Sequence, residues 1–299
     1  MLSVLTSTVA PVFSIVLVGV WLRNRDILDP GALSRIALYA LSPALIFSSI
    51  ARSTVPVPEL ALVAAGVVSL MVCLYAVGMV AGAMLTTTDD GRAAYLLSTV
   101  FMNSGNYGLP IILFAFGEDG FAIGVLYFVT QSFLTNTAGA YVASRGAARP
   151  REALSNVLRV PALYAAAFAL PFPLLGITPP EWLLRPVALL GQAAIPLLLL
   201  ILGSQLRVHL RRDHLRVSAG ALVTRLLLSP AIAAGLAWTF GFRAETAAVF
   251  IVQSAMPTAV FTIVLSLEFG ADTDLLAGIV AYATLLSVVT LSILIPLVN

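Results

Sequence analysis

Lysine is absent from this 299-residue chain, cysteine occurs once, histidine twice, and charged residues of every kind make up only 10%. Each scarcity excludes something. A soluble domain carries far more charge, about a quarter of its residues, whereas a chain whose outer solvent is hydrocarbon has no such need. The lone Cys73 rules out an internal disulfide and any multi-cysteine metal site, and reads as a small apolar residue in a helix. His209 and His214 stand among arginines, where they read as solvated loop residues, and nothing nearby suggests a metal. No His-Glu-x-x-His motif, no aspartate pair and no histidine falls within an apolar run, so an intramembrane enzyme would lack its catalytic group. No cofactor and no nucleic-acid partner is expected. No cation precedes the first apolar run, unlike the basic start of a cleaved signal peptide, so residues 1–22 read as a membrane helix.

What fills the chain instead is long apolar runs: 60% of residues are hydrophobic. The stretches 3–22, 60–88, 93–117, 121–144, 246–267 and 275–299 are each free enough of charge, and long enough, to cross hydrocarbon about 30 Å thick, which takes roughly 20 helical residues. Residues 36–51, 160–178, 186–206 and 218–242 bring the expected count to ten. The expected fold class is therefore an all-α integral membrane protein whose partner is the lipid bilayer.

All sixteen cations are arginine, and their distribution gives a topology. Odd-numbered loops carry twelve of them, from Arg23, Arg25 and Arg35 through Arg92, Arg145, Arg149, Arg151 and Arg159 to Arg207, Arg211, Arg212 and Arg216. Even-numbered loops carry three, Arg52, Arg185 and Arg243. That bias puts odd loops in the cytoplasm and both termini outside, in a multi-pass protein of the cell membrane. A cysteine introduced at Arg149 is accordingly labelled by an impermeant reagent only from the cytoplasmic side, and one at Glu181 only from outside. Reversed labelling overturns the orientation, and labelling from one side overturns the helix count.

The basic stretch 145–159 separates a first half, 1–144, from a second, 160–299, with five expected spans each. Pro43-Ala44-Leu45 and Pro196-Leu197-Leu198 lie 153 positions apart, as do Phe116-Gly117-Glu118-Asp119 and Phe269-Gly270-Ala271-Asp272. One shared offset suggests a duplication, and an odd number of spans per copy inverts the second, giving a 5+5 inverted repeat. Secondary transporters recur on this plan, with substrate near the midplane.

The richest segment is Asn103-Ser104-Gly105-Asn106-Tyr107-Gly108-Leu109-Pro110, in the fourth span. Inside a helix glycine costs about 1 kcal/mol and proline about 3 relative to alanine, and freed backbone groups need protein or a wet cavity to receive them. A helix broken near Gly105 is expected. The ninth span offers Gln253-Ser254-Ala255-Met256-Pro257-Thr258 at the same depth, since Ser104 and Pro257 are 153 apart. Two broken helices that cross at mid-membrane face their ends toward one another, and helix N-termini favour an anion. On the fifth span, Gln131, Thr135 and Asn136 face a helix or the cavity. Two roles are open to Gln131, interhelical bonding and substrate contact, and two to Tyr107, a gate and a space-filler. Arg225 lies nine residues beyond Arg216, about 13 Å along a continuous helix. Snorkelling to the cytoplasmic interface is the favoured reading, ahead of neutralising an anion.

The Asn103–Pro110 motif, the Pro43-Ala44-Leu45 turn, the Ala194-Ile195-Pro196-Leu197 segment and the Met256-Pro257 break resemble the auxin efflux carrier family in its bacterial and archaeal form, over essentially the whole chain. The resemblance implies ten helices in the fold shared with bile acid–sodium symporters. Spans one, two, six and seven would form a scaffold that supports a homodimer. Spans three to five and eight to ten would form an elevator-type transport unit around crossed helices 4 and 9. Known members carry auxins or small carboxylates such as malate and malonate. The long central loop of the plant carriers is replaced here by the short basic stretch. The expected function is secondary transport of a small organic anion. The substrate-binding candidates are Asn103, Ser104, Asn106, Tyr107, Pro110, Gln131, Asn136, Gln253, Ser254, Met256, Pro257 and Thr258. The rival readings are a drug/metabolite-type exporter with the same repeat and a sodium-coupled organic anion symporter. Against sodium coupling, every acidic residue falls in a loop or near a span end, and the ninth span offers Gln253, Ser254 and Met256 where those symporters are expected to supply a glutamate.

Overall fold

The computed structural model describes residues 4–139, 160–206 and 214–298. The whole basic stretch 145–159, together with His209 and Arg207, Arg211 and Arg212, lies outside the described residues. Among the described residues the structure is helical apart from connecting segments and one isolated antiparallel bridge between Met102 and Thr258.

The elements follow the apolar runs. Helices α1 (Leu5–Asn24), α2 (Pro30–Ala51), α3 (Val57–Leu85) and α4 (Asp89–Val100) come first, then α5 (104–116) and α6 (118–139). The second half gives α7 (Pro161–Leu175), α8 (Glu181–Gln205), α9 (Leu215–Thr239), α10 (Ala244–Ser254), α11 (Phe261–Phe269) and α12 (Thr273–Val298). Among the described residues, seven stretches are long and apolar enough to cross a membrane by themselves, one of them the continuous run Ser104–Thr137. That run folds back on itself. At Gly117 the backbone turns to φ 66°, ψ −161°, a region only glycine enters readily. Beyond it Gly124 faces Ile112, and Phe128 faces Gly105, so α6 runs antiparallel to α5. The equivalent turn after α11 is made by Gly270 at φ 74°, 153 residues further on.

Helix entry uses ordinary chemistry. The Asp29 carboxylate accepts from the Gly31 N–H and Thr88 Oγ1 from the Gly91 N–H, so α2 and α4 begin capped. The outer surface is apolar. Trp21, Trp182, Trp238, Met84, Phe168 and Leu267 are all at least half exposed, which suits lipid. Tryptophans near helix ends fit the headgroup level.

Contacts across the chain tie together loops that the expected ten-span count numbers with like parity. Arg23 donates to the Leu206 carbonyl at 3.3 Å, joining the loops after α1 and α8. The Asp272 N–H donates to the Asp90 carbonyl at 3.2 Å, and His214 Nε2 lies 3.5 Å from the Asp272 carboxylate. On the even side Arg243 reaches Glu59 at 3.4 Å. His214 is thus partly enclosed and paired, unlike the solvated residue expected from its arginine neighbours: folding brings the start of α9 beside the start of α12.

Helix α8 packs along both α1 and α2, and α7 along α2. The approach is backbone to backbone. A Cβ on Gly19 would lie 2.4 Å from the Leu200 carbonyl oxygen, one on Gly203 2.0 Å from that of Val16, and one on Gly191 2.9 Å from Leu45 Cα. Small residues at the contact are what allow helices in lipid to gain van der Waals packing.

Candidate functional site

Helix α4 ends at Val100, the chain is extended at Phe101, and helix resumes at Ser104 as a wide π turn, Ser104–Gly108. The interruption is therefore at 101–103, upstream of the expected Gly105. Pro110 lies inside α5, two residues after the wide π turn, whose altered hydrogen-bond register goes with the N–H that proline lacks. Gly105 and Gly108 serve close approach instead: a Cβ on the first would meet the Phe128 ring at 2.6 Å, and one on the second Gln253 Oε1 at 2.3 Å. In the second half α10 ends at Ser254 and α11 begins at Phe261, so the gap spans Met256 and Pro257 as expected.

The two gaps lie against each other and satisfy each other. The Asn103 N–H donates to the Pro257 carbonyl at 2.7 Å, and the Ala259 N–H to that of Phe101 at 3.0 Å. Thr258 Oγ1 donates to the Ser98 carbonyl at 2.8 Å. Backbone freed at membrane depth is thereby received by protein.

Beside this crossing lies a cavity of 610 Å³. Its inner wall includes Asn103, Ser104 and Asn106 from the start of α5, Ala259, Val260 and Phe261 from the start of α11, and Gln131, Thr135 and Asn136 from α6. Ser34, Tyr39 and Ser42 of α2 and Gln205 of α8 add to the polar lining, with exposed Glu268 on the rim. None of these last five figured among the expected residues. Single serines in apolar helices and polar groups at helix ends carry no sequence signal that separates them from ordinary interhelical bonding.

Five of the twelve expected residues line the cavity: Asn103, Ser104, Asn106, Gln131 and Asn136. Asn103 is 5% exposed and Ser104 1%, yet Asn103 Nδ2 and Ser104 Oγ have no partner among the described residues. Gln131 donates through Nε2 to the Met102 carbonyl, which fixes the orientation of its amide and leaves Oε1 unpartnered. Asn136 Nδ2 donates to the Ser132 carbonyl at 2.8 Å. Buried polar atoms are nearly always paired, so a cluster of unpaired ones asks for a ligand or water.

The other seven do not line it. Gln253 is fully buried behind the wall, donating to the Ser104 and Gly124 carbonyls at 3.4 and 3.3 Å. Ser254, Met256, Pro257 and Thr258 are buried in the crossing itself, and Pro110 within α5. Tyr107 is fully buried, accepts from Ser287 at 3.0 Å and meets Phe13 edge to face. In this state it fills space between α5, α12 and α1.

Arg225 corrects its expectation outright. It has no exposed surface and does not snorkel. Its guanidinium reaches the crossing, where it donates to the Thr99 carbonyl at 2.7 Å and to the Ser254 carbonyl and Ser229 Oγ. The crossing is therefore not neutral.

An apolar-surfaced helical bundle whose largely apolar cavity carries a patch of buried polar groups beside two interrupted helices fits an integral membrane transport protein. The chain belongs to the membrane transport protein family, that of the auxin efflux carriers, which it matches over residues 4–156 and 149–295. It is similar to an uncharacterized transporter of Methanothermobacter thermautotrophicus, with 26% identity over 307 residues covering 96% of each chain. It is also 26% identical over 293 residues to an uncharacterized transporter of Methanocaldococcus jannaschii, covering 94% of this chain and 95% of that one.

Proposed function

We propose that the protein is a secondary transporter of a small organic anion, auxin-like or a dicarboxylate, bound where the α5 and α11 N-termini meet the cavity. The observation that carries this reading is the pair of unpartnered donors, Asn103 Nδ2 and Ser104 Oγ, at the start of a half-helix in the cavity wall. N-terminal N–H groups and these donors together suit a carboxylate. Among the described residues no lysine or arginine lines the cavity, and in this reading the helix-end dipoles hold the anion.

The architecture in this reading is ten spans in a 5+5 inverted repeat, counting α4 with α5 and α10 with α11 as single broken spans. The glycine turns at 117 and 270 support it, as does the parity of the loop contacts. Helices α1, α2, α7 and α8, which pack on one another, form the scaffold and the homodimer contact. The rest moves as an elevator. The cavity lining reaches the odd-loop ends of α2, α6, α8 and α11, so with odd loops cytoplasmic the state described opens inward.

The test is uptake into proteoliposomes across a panel of labelled mono- and dicarboxylates, with counterflow. At least one carboxylate is taken up and trans-stimulated, and replacing sodium by choline at constant potential and pH leaves its uptake unchanged. Uptake of none overturns the substrate class. Uptake that stops in choline favours a sodium-coupled symporter instead.

A further inference from the structure

Arg225 heads the side chains with no solvent exposure, and its partners account for what it does there. A helix leaves its last four carbonyls without intrahelical partners. At the end of α10 those of Ile251 and Val252 accept from the Ala255 N–H, that of Gln253 from the Met256 N–H, and that of Ser254 from Arg225 and Ser229 Oγ. At the end of α4 that of Leu97 accepts from the Phe101 N–H, that of Ser98 from Thr258, and that of Thr99 from Arg225. One guanidinium thus caps the C-termini of both interrupted helices. Each C-terminus carries roughly half a negative charge, so two of them balance one arginine without any carboxylate. The remaining contacts are Ser229 Oγ and Met102 Sδ, the latter at 3.9 Å. The side chain leaves α9 from a π turn, Thr224–Leu228, whose first residue is fixed by Tyr95 through a 3.0 Å hydroxyl contact. Such bulges re-aim side chains at functional sites.

We propose that Arg225 is a fixed internal cation of the crossing, filling an oxygen-lined place between Thr99, Ser229 and Ser254 that a free monovalent cation would otherwise take. The negative ends of the two half-helices meet on Arg225, while their positive counterparts on α5 and α11 face the cavity. Arg225 therefore positions the anion-binding ends without touching the substrate. It also removes the need for a co-transported cation at the crossing. That consequence rests on the function proposed above; the occupancy of the place by a cation does not.

The occupancy is tested by stability, with neither substrate nor gradient. Purified Arg225→Ala is melted in detergent with added guanidinium chloride at low millimolar concentration, and with urea, its neutral planar counterpart, as the control. We expect a midpoint about 10 °C below that of the natural protein, since the two carbonyl ends then face each other uncompensated. Guanidinium should return at least half of that loss and urea none of it, and the natural protein should respond to neither. Equal rescue by urea would make the role one of shape, and overturn the proposal. So would an undiminished midpoint, or a loss that guanidinium does not touch. If the alanine variant cannot be purified, Arg225→Lys and Arg225→Met decide. Lysine keeps the charge and methionine the stem, so a more stable lysine variant supports the internal cation and equal stability overturns it.

Discussion

Replacing Gly203 with leucine abolishes recovery of folded, monodisperse protein. The crossing of α1 and α8 brings Gly203 against the Val16 backbone and Gly19 against that of Leu200. A Cβ at 203 would sit 2.0 Å from the Val16 oxygen, 2.9 Å from its carbonyl carbon and 3.0 Å from the Val20 nitrogen. None of these atoms can swing aside as a side chain does, so the helices must separate along the whole seam. In lipid no hydrophobic drive compensates, because tails are as apolar as the side chains; packing itself is what holds helices together. Overfilling a packed site typically costs about 1–3 kcal/mol. A leucine forced against backbone falls in the exceptional class above roughly 4 kcal/mol. Gly203→Ala should lose about 2 kcal/mol, read as a lowered melting midpoint on a detergent gel-filtration assay. Because one separation relieves both contacts, the Gly19→Ala/Gly203→Ala pair should cost less than the sum of its members. A leucine variant that melts close to the natural protein would show that these backbones do not touch.

Much of this arrangement is legible in the chain, and the boundary of legibility has physical causes. Apolar runs give helices because in hydrocarbon only a helix satisfies its own backbone. The break at Met256-Pro257 is readable because proline cannot donate within a helix. The break at 101–103 is displaced from its expected place, because the glycines at 105 and 108 answer to neighbours distant in sequence, Phe128 and Gln253. Glycine signals permissiveness without saying whether a turn or a close approach uses it. Arg225 illustrates the limit best. Counted along α9 it is a cation nearly three turns in, for which snorkelling is the cheapest local solution. Its actual partners are carbonyls 126 and 29 residues away, on two other helices. They become available only because those helices end at the same point in space. Gln253 misleads in the opposite direction. Its type and position suit a binding site, yet it buttresses the wall from behind.

Removing the amide of Asn106 should cost transport and almost nothing else. Asn106 is half-buried in the cavity wall, and its side chain has no hydrogen-bond partner among the described residues. Truncation to alanine deletes no hydrogen bond among the described residues, so the melting midpoint should hold. If the amide meets a carboxylate, the lost charge-assisted bond is worth about 1.5–3 kcal/mol, roughly ten- to a hundredfold in uptake. Asn103→Ala sharpens the comparison. Its Nδ2 is buried and unpartnered without substrate, so its removal relieves an unmet desolvation cost and should leave the empty protein as stable or more so, while uptake falls at least tenfold. Gln253→Ala provides the contrast, because it deletes two donors to the Ser104 and Gly124 carbonyls and leaves a hole behind the wall. That variant should lose stability as well as uptake. Measuring both quantities on all three separates residues that meet the anion from residues that hold the wall. Undiminished uptake by the Asn103 and Asn106 variants would remove the α5 N-terminus from the site, whatever the stability data show.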